Sequence, residues 1–457
     1  MSIFVWIYEI GYDIIISHKV ENVKKFQYIY GGIAMKKLSA IIIGYGNRGQ
    51  TYAKYAIDHP DELEIKAVAD PVSNKLEYVK KHHNLNNDML FCDWKELTSL
   101  PKIADFAIIA TQDDMHYEPT LECIEKGYNI LLEKPISPSP KECKEIAEAA
   151  EKKGVKIIVC HVLRYTNFYC TLKDIIDSEK LGKIMSVDAV EAVGNIHQSH
   201  SFVRGNWRNS KESAPMILAK SCHDTDIIQW LIGSECKKVH SFGSLSYFTK
   251  DNKPEGAPDY CIKGCPKADE CYYNAVKLYY DDKENDWFRT VAANTSENPS
   301  DERVMEAITN GPYGRCVFDC DNDVVDHQVV TMEFKNGCTV TFSMNAFNEG
   351  GRYIRLFGTK GELTGSIDTG EITIYTFDTK ETQKINLNDK GNDITNGHGG
   401  GDTGIMIALL NHFNDVDPGK SVSSVRTSYL NHLISFAAEH SRITGEVVDI
   451  DNFSKNL

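Results

Sequence analysis

Three groups of residues in this chain have types and spacings that could do chemistry. The first is Gly44-x-Gly46-x-x-Gly49, set between the β-branched run "SAIII" and the helix-compatible "QTYAKYA". Its glycines permit a tight turn, a close approach of backbone to a pyrophosphate and tight helix–strand packing, while the helix N-terminus attracts phosphates. About 20 residues further on, Asp70 ends the strand-like "LEIKAVAD", where a carboxylate accepts hydrogen bonds from an adenosine ribose. That acid favours NAD and leaves NADP open. The second group is Lys134, held between Glu133 and Pro135 in "LLEKPISPSP". An apolar run that delivers a lysine and is then stopped by prolines sets an ammonium at a strand end, with Pro135 restricting Lys134 to extended geometry and Glu133 holding the turn. The third group is cysteine. Cys261, Cys265 and Cys271, with Cys320 or alternatively Cys316 from a second stretch, would complete a tetrahedral zinc site that pins a loop. An iron-sulfur cluster needs the same ligand count, and free thiols in a loop are the plain alternative.

These groups need elements to position them. "FAIIAT", the helix "EPTLECIEKG" and the strand "YNILLEKP" continue the alternation of strands and helices, which implies a doubly wound parallel sheet whose ligands sit beyond the carboxyl ends of its strands. Thr111 and Lys134 fall at such ends. After "KKGVKIIVCHVLRYTNFY" the pattern changes to segments that alternate every second residue, among them "KIMSVDAVEAVG", "QVVTMEFKNGCTVTFSMNAF" and "YIRLFGTKGELTG". Such alternation marks an antiparallel sheet with one wetted face. One amphipathic helix, "HDTDIIQWLIG", lies within it, with Ile227, Ile228, Leu231 and Ile232 on the apolar side. Just before it, "HQSHSFVRGNWRNS" reads as a glycine-containing loop offering His197, His200, Arg204, Trp207 and Arg208. Arg and His hydrogen-bond hydroxyls and Trp offers an apolar face to a sugar ring, and a basic cluster in an acidic chain points to an anionic group on the substrate.

"GYGNRG", "AVADP", "ATQDDMHYEPT" and above all "EKP" followed by "ISPSPKEC" resemble the glucose-fructose oxidoreductase, inositol dehydrogenase and MocA (Gfo/Idh/MocA) family, and the resemblance covers nearly everything from Met35 onward. It implies an α/β fold: an N-terminal Rossmann domain with a doubly wound parallel sheet, then a C-terminal α+β domain on an open, mostly antiparallel sheet. It also implies hydride transfer between a nicotinamide and a hydroxyl carbon of a sugar, cyclitol or related polyol. In that family the histidine at the position of His223 is the acid/base, a task suited to imidazole because its pKa lies near working pH. The family usually carries an aspartate four residues earlier; here Ala219 stands there, with Lys220 beside it. Asp224 or Asp226 is left to orient His223. A loop like "NGHGGGDTG" closes on the active site in relatives, which makes His398 and Asp402 candidates, Asp402 equally as an N-cap.

The expected catalytic pair is therefore Lys134 and His223. Expected cofactor contacts are Gly44, Gly46, Asn47, Arg48, Gly49, Asp70, Thr111, His116, Glu133 and Lys134. Expected substrate contacts are Arg164, His200, Arg204, Trp207, Arg208, Lys220, Asp224 and His398. The chain divides into residues 1–34, a Rossmann domain at 35–160, and a substrate and oligomerisation domain at 161–457 with a Cys-rich insertion at about 255–325 and a C-terminal helix packing back on the first domain. Met35 opens a typical nucleotide-binding start, so residues 1–34 are either an over-extended reading frame or a surface extension, which a peptide from that stretch would decide.

The 457 residues are 42% apolar and 25% charged, the balance of an ordinary globular protein. A net charge of -15 disfavours nucleic acid and anionic membrane surfaces and leaves a small molecule as the partner. Thirteen scattered cysteines without a secretory leader suit a reducing cytoplasm. A redox-neutral glycosidase that oxidises its sugar transiently, and a nonenzymatic dinucleotide or sugar sensor, are the alternatives to a dehydrogenase, with a homo-oligomer expected in each case.

Overall fold

Six short, mostly apolar runs form the first sheet, and their central residues are buried on both faces. They are β1 (Leu38–Ile43), β2 (Leu63–Ala69), β3 (Leu90–Phe91), β4 (Phe106–Ile109), β5 (Asn129–Leu132) and β6 (Ile157–Val159). All pair in parallel, in the order β3-β2-β1-β4-β5-β6. Ile43 pairs with Ile109 and Ile109 with Leu132, so Gly44, Ala110 and Glu133 leave the sheet side by side. The computed structural model describes residues 29–30, 33–388 and 398–457. The segment 1–34 therefore lies almost wholly outside the described residues; Ile29–Tyr30 and Ile33–Ala34 form a small antiparallel pair.

The second sheet has nine strands. β7 is Ile184–Ala192, β8 Cys236–Ser244, β9 His327–Phe334, β10 Thr339–Asn345, β11 Gly351–Gly358, β12 Gly361–Ser366, β13 Glu371–Thr376, β14 Thr382–Asn386 and β15 Val448–Asp449. Their order is β14-β13-β12-β11-β7-β10-β9-β8-β15, and only the β7–β10 pair is parallel. Along β9 and β10 buried residues such as Val330, Met332, Val340 and Phe342 alternate with exposed ones, and the buried face meets the helices Cys222–Ile232 and Val425–Thr444. β8 and the edge strands β14 and β15 carry weak patterns, "CKKVHSFGS", "TQKIN" and "VD", and the sequence reading passed over them.

An apolar layer ties the halves together. The helix Gly401–Phe413 places Ile405, Met406, Leu409 and Leu410 in the same apolar cluster as Tyr52, Phe106 and Ile158 of the first sheet's layer. The stretch between β8 and β9 leaves the sheet, closes where Asp326 N–H donates to Ser244 O (3.1 Å), and folds as turns and short helices around its own clusters. Among the described residues no helix is long and apolar enough to cross a membrane.

Candidate active site

The glycine turn follows β1 and starts the helix Asn47–Asp58. Gly44 has φ +91° and a Cβ there would stand 2.5 Å from Ala110 O; a Cβ on Gly49 would stand 2.1 Å from Gly44 O. Both positions therefore exclude side chains, the first for the turn and the second for helix–strand contact. Gly46 differs, because a Cβ would meet nothing within 4 Å. That open cradle, at a helix N-terminus, fits the pyrophosphate of a dinucleotide. Asp70 closes the far side: its carboxylate accepts from Tyr45 N–H (2.7 Å) and Val72 N–H (2.9 Å), which fixes it at the end of β2. Asn47 is exposed in the first turn and Thr111 sits at the sheet edge with its hydroxyl donating to Met115 O (3.2 Å).

Glu133 is buried and holds the turn. It accepts from Arg48 Nε (2.8 Å), Tyr52 Oη (2.6 Å) and Lys134 N–H (3.0 Å). Burial would raise its carboxyl, but Arg48 and Lys134 outweigh that and hold it below the usual range. Arg48 also reaches Asp402 (2.6 Å), so its guanidinium bridges the turn to the Gly401–Phe413 helix, and its backbone is what remains for a phosphate. The peptide between Lys134 and Pro135 is cis. Lys134 Nζ donates to Ala219 O (2.9 Å) and lies 5.7 Å from the Trp207 ring centroid. The backbone carbonyl of Ala219 thus takes the place of a carboxylate as the hydrogen-bond partner of the ammonium. The helix Cys222–Ile232 starts three residues beyond Ala219 and presents the partly exposed His223.

A hydrogen-bonded relay sets this helix against the Lys134 turn. Ile136 N–H donates to His432 Nε2 (3.1 Å), so His432 carries its proton on Nδ1 and donates it to Asn431 Oδ1 (2.8 Å). Asn431 Nδ2 donates to Asp226 Oδ1 (2.6 Å), and Asp226 takes a bidentate pair from Arg164 (2.6 and 2.7 Å). Burial pushes His432 down to about 3, which keeps it the neutral link the relay needs. Asn431 and His432 were not singled out in the sequence; "LNHL" inside a long helix carries no signal beyond two polar residues on a buried face.

The floor of the cleft is a charge cluster. Arg352 on β11 bonds Glu191 (2.6 Å) and Asp224 (2.9 Å), and Lys220 stands 3.4 Å from Glu191. Burial pushes Asp224 up to about 6, against the pull of Arg352 and with the like charge of Glu191 adding to it. Burial lowers Lys220 despite Glu191. Arg352 and Glu191, two members of this cluster, have no motif and were missed. Trp207 is aimed by Asp113, which accepts from its Nε1 (3.0 Å) and from Ser213 Oγ (2.7 Å).

Several expected contacts do something else. The 195–204 segment is not a loop but helical turns, Asn195–His197 and Gln198–Arg204. His200 is buried, stacked on Phe288 (4.3 Å) and Tyr313 (4.9 Å) with Nδ1 3.0 Å from Tyr279 Oη. Arg204 is fully buried and donates to Arg315 O (2.7 Å) and Tyr273 O (2.6 Å). Arg208 pairs with Asp321 (3.0 Å) and Glu212 (2.8 Å). Arg204 and Arg208 are thus engaged within the protein rather than left for an anionic group on the substrate. Arg164 serves Asp226, and His116 is buried with its ring nitrogens 2.7 Å from Pro135 O and 3.2 Å from Thr111 O, bracing the turn rather than a cofactor. Asp224 pairs with Arg352 (2.9 Å) and Asp226 with Arg164 (2.6 Å). The His398 side chain lies outside the described residues.

The cysteines are corrected too. Cys261, Cys265, Cys271 and Cys316 line one cavity of about 20 Å³ together with Arg204. Yet among the described residues no three His, Cys, Asp or Glu side chains are placed to share a metal ion. The guanidinium of Arg204 stands 3.8 Å from Cys261 Sγ, and a cation there opposes a second one. Cys320 Sγ donates to Cys316 O (3.3 Å), and burial raises Cys271 and Cys316 and pushes Cys320 up to about 11.

Comparison with known proteins gives one consistent answer. Residues 38–161 match the family model described as "Oxidoreductase family, NAD-binding Rossmann fold", and residues 173–439 match the companion "C-terminal alpha/beta domain". YteT of Bacillus subtilis (strain 168), named as an oxidoreductase, is 24% identical over 330 residues, 67% of this chain and 72% of that protein. IolW of the same organism, named scyllo-inositol 2-dehydrogenase (NADP(+)), is 27% identical over 177 residues, covering 39% of this chain and 46% of that protein. The crystal structure of scyllo-inositol dehydrogenase from Lactobacillus casei, with NAD(H) and scyllo-inositol bound, superposes with a TM-score of 0.62 at 15% identity, covering 91% of this chain and 100% of that one.

Proposed function

This chain belongs to the Gfo/Idh/MocA oxidoreductase family, and on that premise we propose that it moves hydride between NAD and a hydroxyl-bearing carbon of a sugar, cyclitol or related polyol. The observation that carries the reading is the Lys134 ammonium, bonded to the neutral Ala219 carbonyl between the glycine turn and the helix of His223. The fixed Asp70 carboxylate favours the ribose hydroxyls of NAD and repels the extra phosphate of NADP. The name of IolW supports the polyol class.

When bound, the nicotinamide supplies or accepts the hydride. The chain does the remaining work. Lys134 donates to the substrate oxygen and stabilises the negative charge that develops there, which costs no reorganisation because the Ala219 carbonyl already fixes the ammonium. His223 takes the hydroxyl proton on oxidation and returns it on reduction. Trp207, aimed by Asp113, gives the substrate ring a flat apolar wall, while Lys220 and Asp224 at the floor offer a donor and a titrating carboxyl to its remaining hydroxyls. The thirteen free thiols favour a cytoplasmic setting, and the open face of the second sheet, with Phe242 and Tyr353 exposed, is the surface by which copies would pair.

Lys134→Met tests the assignment. Turnover of a polyol panel, followed as NADH absorbance, should fall about a thousandfold or more while NADH still binds. Unimpaired turnover in this variant would refute the role of Lys134.

A further inference from the structure

One buried imidazole takes no part in the chemistry described above. His161 leaves the first sheet beside the lysine: Cys160 N–H donates to Leu132 O (2.9 Å), which continues the pairing of β6 with β5, and His161 follows Cys160 as Glu133 follows Leu132. The ring is fully buried, and among the described residues neither of its nitrogens has a hydrogen-bond partner. A buried polar group left unbonded costs about 1–3 kcal/mol, so its position calls for an explanation. Its neighbours supply one. His161 Nδ1 stands 3.8 Å from Asp226 Oδ2, beyond hydrogen-bond reach. The ring of His432 stands nearly perpendicular to it at 5.7 Å and 81°, and that of His223 at 5.8 Å and 87°. Burial first, then the charges of Arg164 and Lys134, hold His161 well below the usual histidine range against the pull of Glu133, so the ring is neutral and its contact with Asp226 is not an ion pair.

A neutral imidazole has one donor and one acceptor. The Asp226 carboxylate takes bonds from two Arg164 nitrogens and Asn431 Nδ2, which leaves it a lone pair for a proton on His161 Nδ1. Nε2 is then the acceptor. Of the two neighbouring imidazoles, His432 has both nitrogens engaged, with Nε2 accepting from Ile136 N–H and Nδ1 on Asn431 Oδ1. His223 remains, and it is the ring that reaches solvent. We infer that His161 is a positioning residue: backed by Asp226, its Nε2 accepts the N–H of His223 that points away from the substrate, which fixes the tautomer whose other nitrogen is the base. This rests on the reading of His223 as the acid/base and gives it a support where Ala219 replaces the usual carboxylate. Catalytic hydrogen bonds commonly tighten as a site fills, and a shift of about 1 Å closes the contact with Asp226. On oxidation the hydroxyl proton goes to the substrate-facing nitrogen of His223, no second proton moves, and His161 stays neutral.

The test uses the full-length protein with NADH and isotopically labelled histidine, whose ring-nitrogen NMR shifts distinguish a protonated from an unprotonated nitrogen. Assignments come from His161→Gln, His223→Gln and His432→Gln. In the wild type, His161 should carry its proton on Nδ1 and His223 should hold a single tautomer. His161→Phe keeps a ring without an acceptor and should leave His223 as a mixture of both tautomers, while His161→Gln, with a neutral donor and acceptor, should restore most of the single form. Turnover of the polyol panel should follow: kcat falls about tenfold or more in His161→Phe, KM stays within about twofold, and His161→Gln regains most of kcat. A proton on His161 Nε2 in the wild type overturns the inference, and that measurement decides even if His161→Phe fails to fold. An unchanged His223 tautomer in His161→Phe overturns it as well. If His223→Gln turns over the panel as the wild type does, the acid/base reading fails and the inference with it; if that variant is inactive while His223 keeps its tautomer without His161, the inference fails alone.

Discussion

At the carboxyl edge of the first sheet the expected residues meet, whereas in the segment 195–208 His200, Arg204 and Arg208 are engaged by the rest of the fold and Trp207 stands beside Lys134. At the sheet edge, Gly44, Thr111 and Lys134 are brought together by strand register, which short apolar runs encode locally. In 195–208 the fate of each polar side chain is set by residues far along the chain. Arg204 meets Arg315 at a separation of 111 residues, His200 meets Tyr279 at 79, and Arg208 meets Asp321 at 113. The insertion takes His200 and Arg204 of this stretch into a core. Backbone geometry thus decides function at one place, and a distant covering segment decides it at the other.

The relay between Asp226 and Ile136 is where these two regimes meet, and breaking it should have the largest effect on folding. Asp226→Ala leaves the Arg164 guanidinium buried without its carboxylate and frees Asn431. A loss of about 3–5 kcal/mol in denaturant unfolding is expected. Asp226→Asn, which keeps one acceptor, should lose less. If Asp226→Ala unfolds at the wild-type midpoint, the relay is not what holds the two halves in register.

A smaller effect bears on His200, which is buried in the stack of Phe288 and Tyr313. His200 is pushed down to about 3 by burial, first, and by Arg204, whereas in the unfolded chain it titrates near the usual histidine value, about 6.5. The unfolded state therefore binds the extra proton between those limits. Stability from this group is fully present above about pH 6.5 and is lost as pH falls toward 3, at up to about 1.4 kcal/mol per pH unit. His200→Phe keeps a ring in the stack formed by Phe288 and Tyr313 and removes the proton. Its melting temperature should fall less steeply than wild type between pH 6.5 and 5. Identical slopes would mean that His200 is not buried as a neutral ring.

How much was legible follows the same division. The parallel sheet, the glycine turn, Lys134 and the helix of His223 were readable because each is signalled within one short stretch: β-branched runs, fixed glycine spacing, a proline stop, an amphipathic period. The strand pattern of the second sheet was readable wherever alternation was strong, as in β9 and β10, and failed at the edge strand β14, where a solvated strand has few apolar residues to report it. The cleft floor was half visible. Lys220 and Asp224 adjoin His223 in sequence, but Arg352 and Glu191 lie on separate strands and acquire meaning only when β7 and β11 pair, which sets Glu191 opposite Arg352. The cysteines show the reverse error. Their number and proximity suggested ligands, and what no spacing reveals is that Arg204 lines the same cavity and stands 3.8 Å from Cys261 Sγ.

The smallest expected effect discriminates most cleanly between the two regimes. Arg208 was expected to meet a substrate anion, yet its guanidinium is paired on the surface with Asp321 and Glu212, both well exposed. An exposed pair of this kind contributes about 0–1 kcal/mol, because water solvates the separated charges nearly as well and ordering two long side chains costs entropy. Arg208→Ala should therefore shift the melting temperature by no more than a few degrees. It should also leave kcat/KM for an acidic sugar and for its neutral counterpart changed by the same small factor. A selective fall for the acidic sugar would return Arg208 to the substrate, and would mean that the salt bridge to Asp321 opens when the cleft fills.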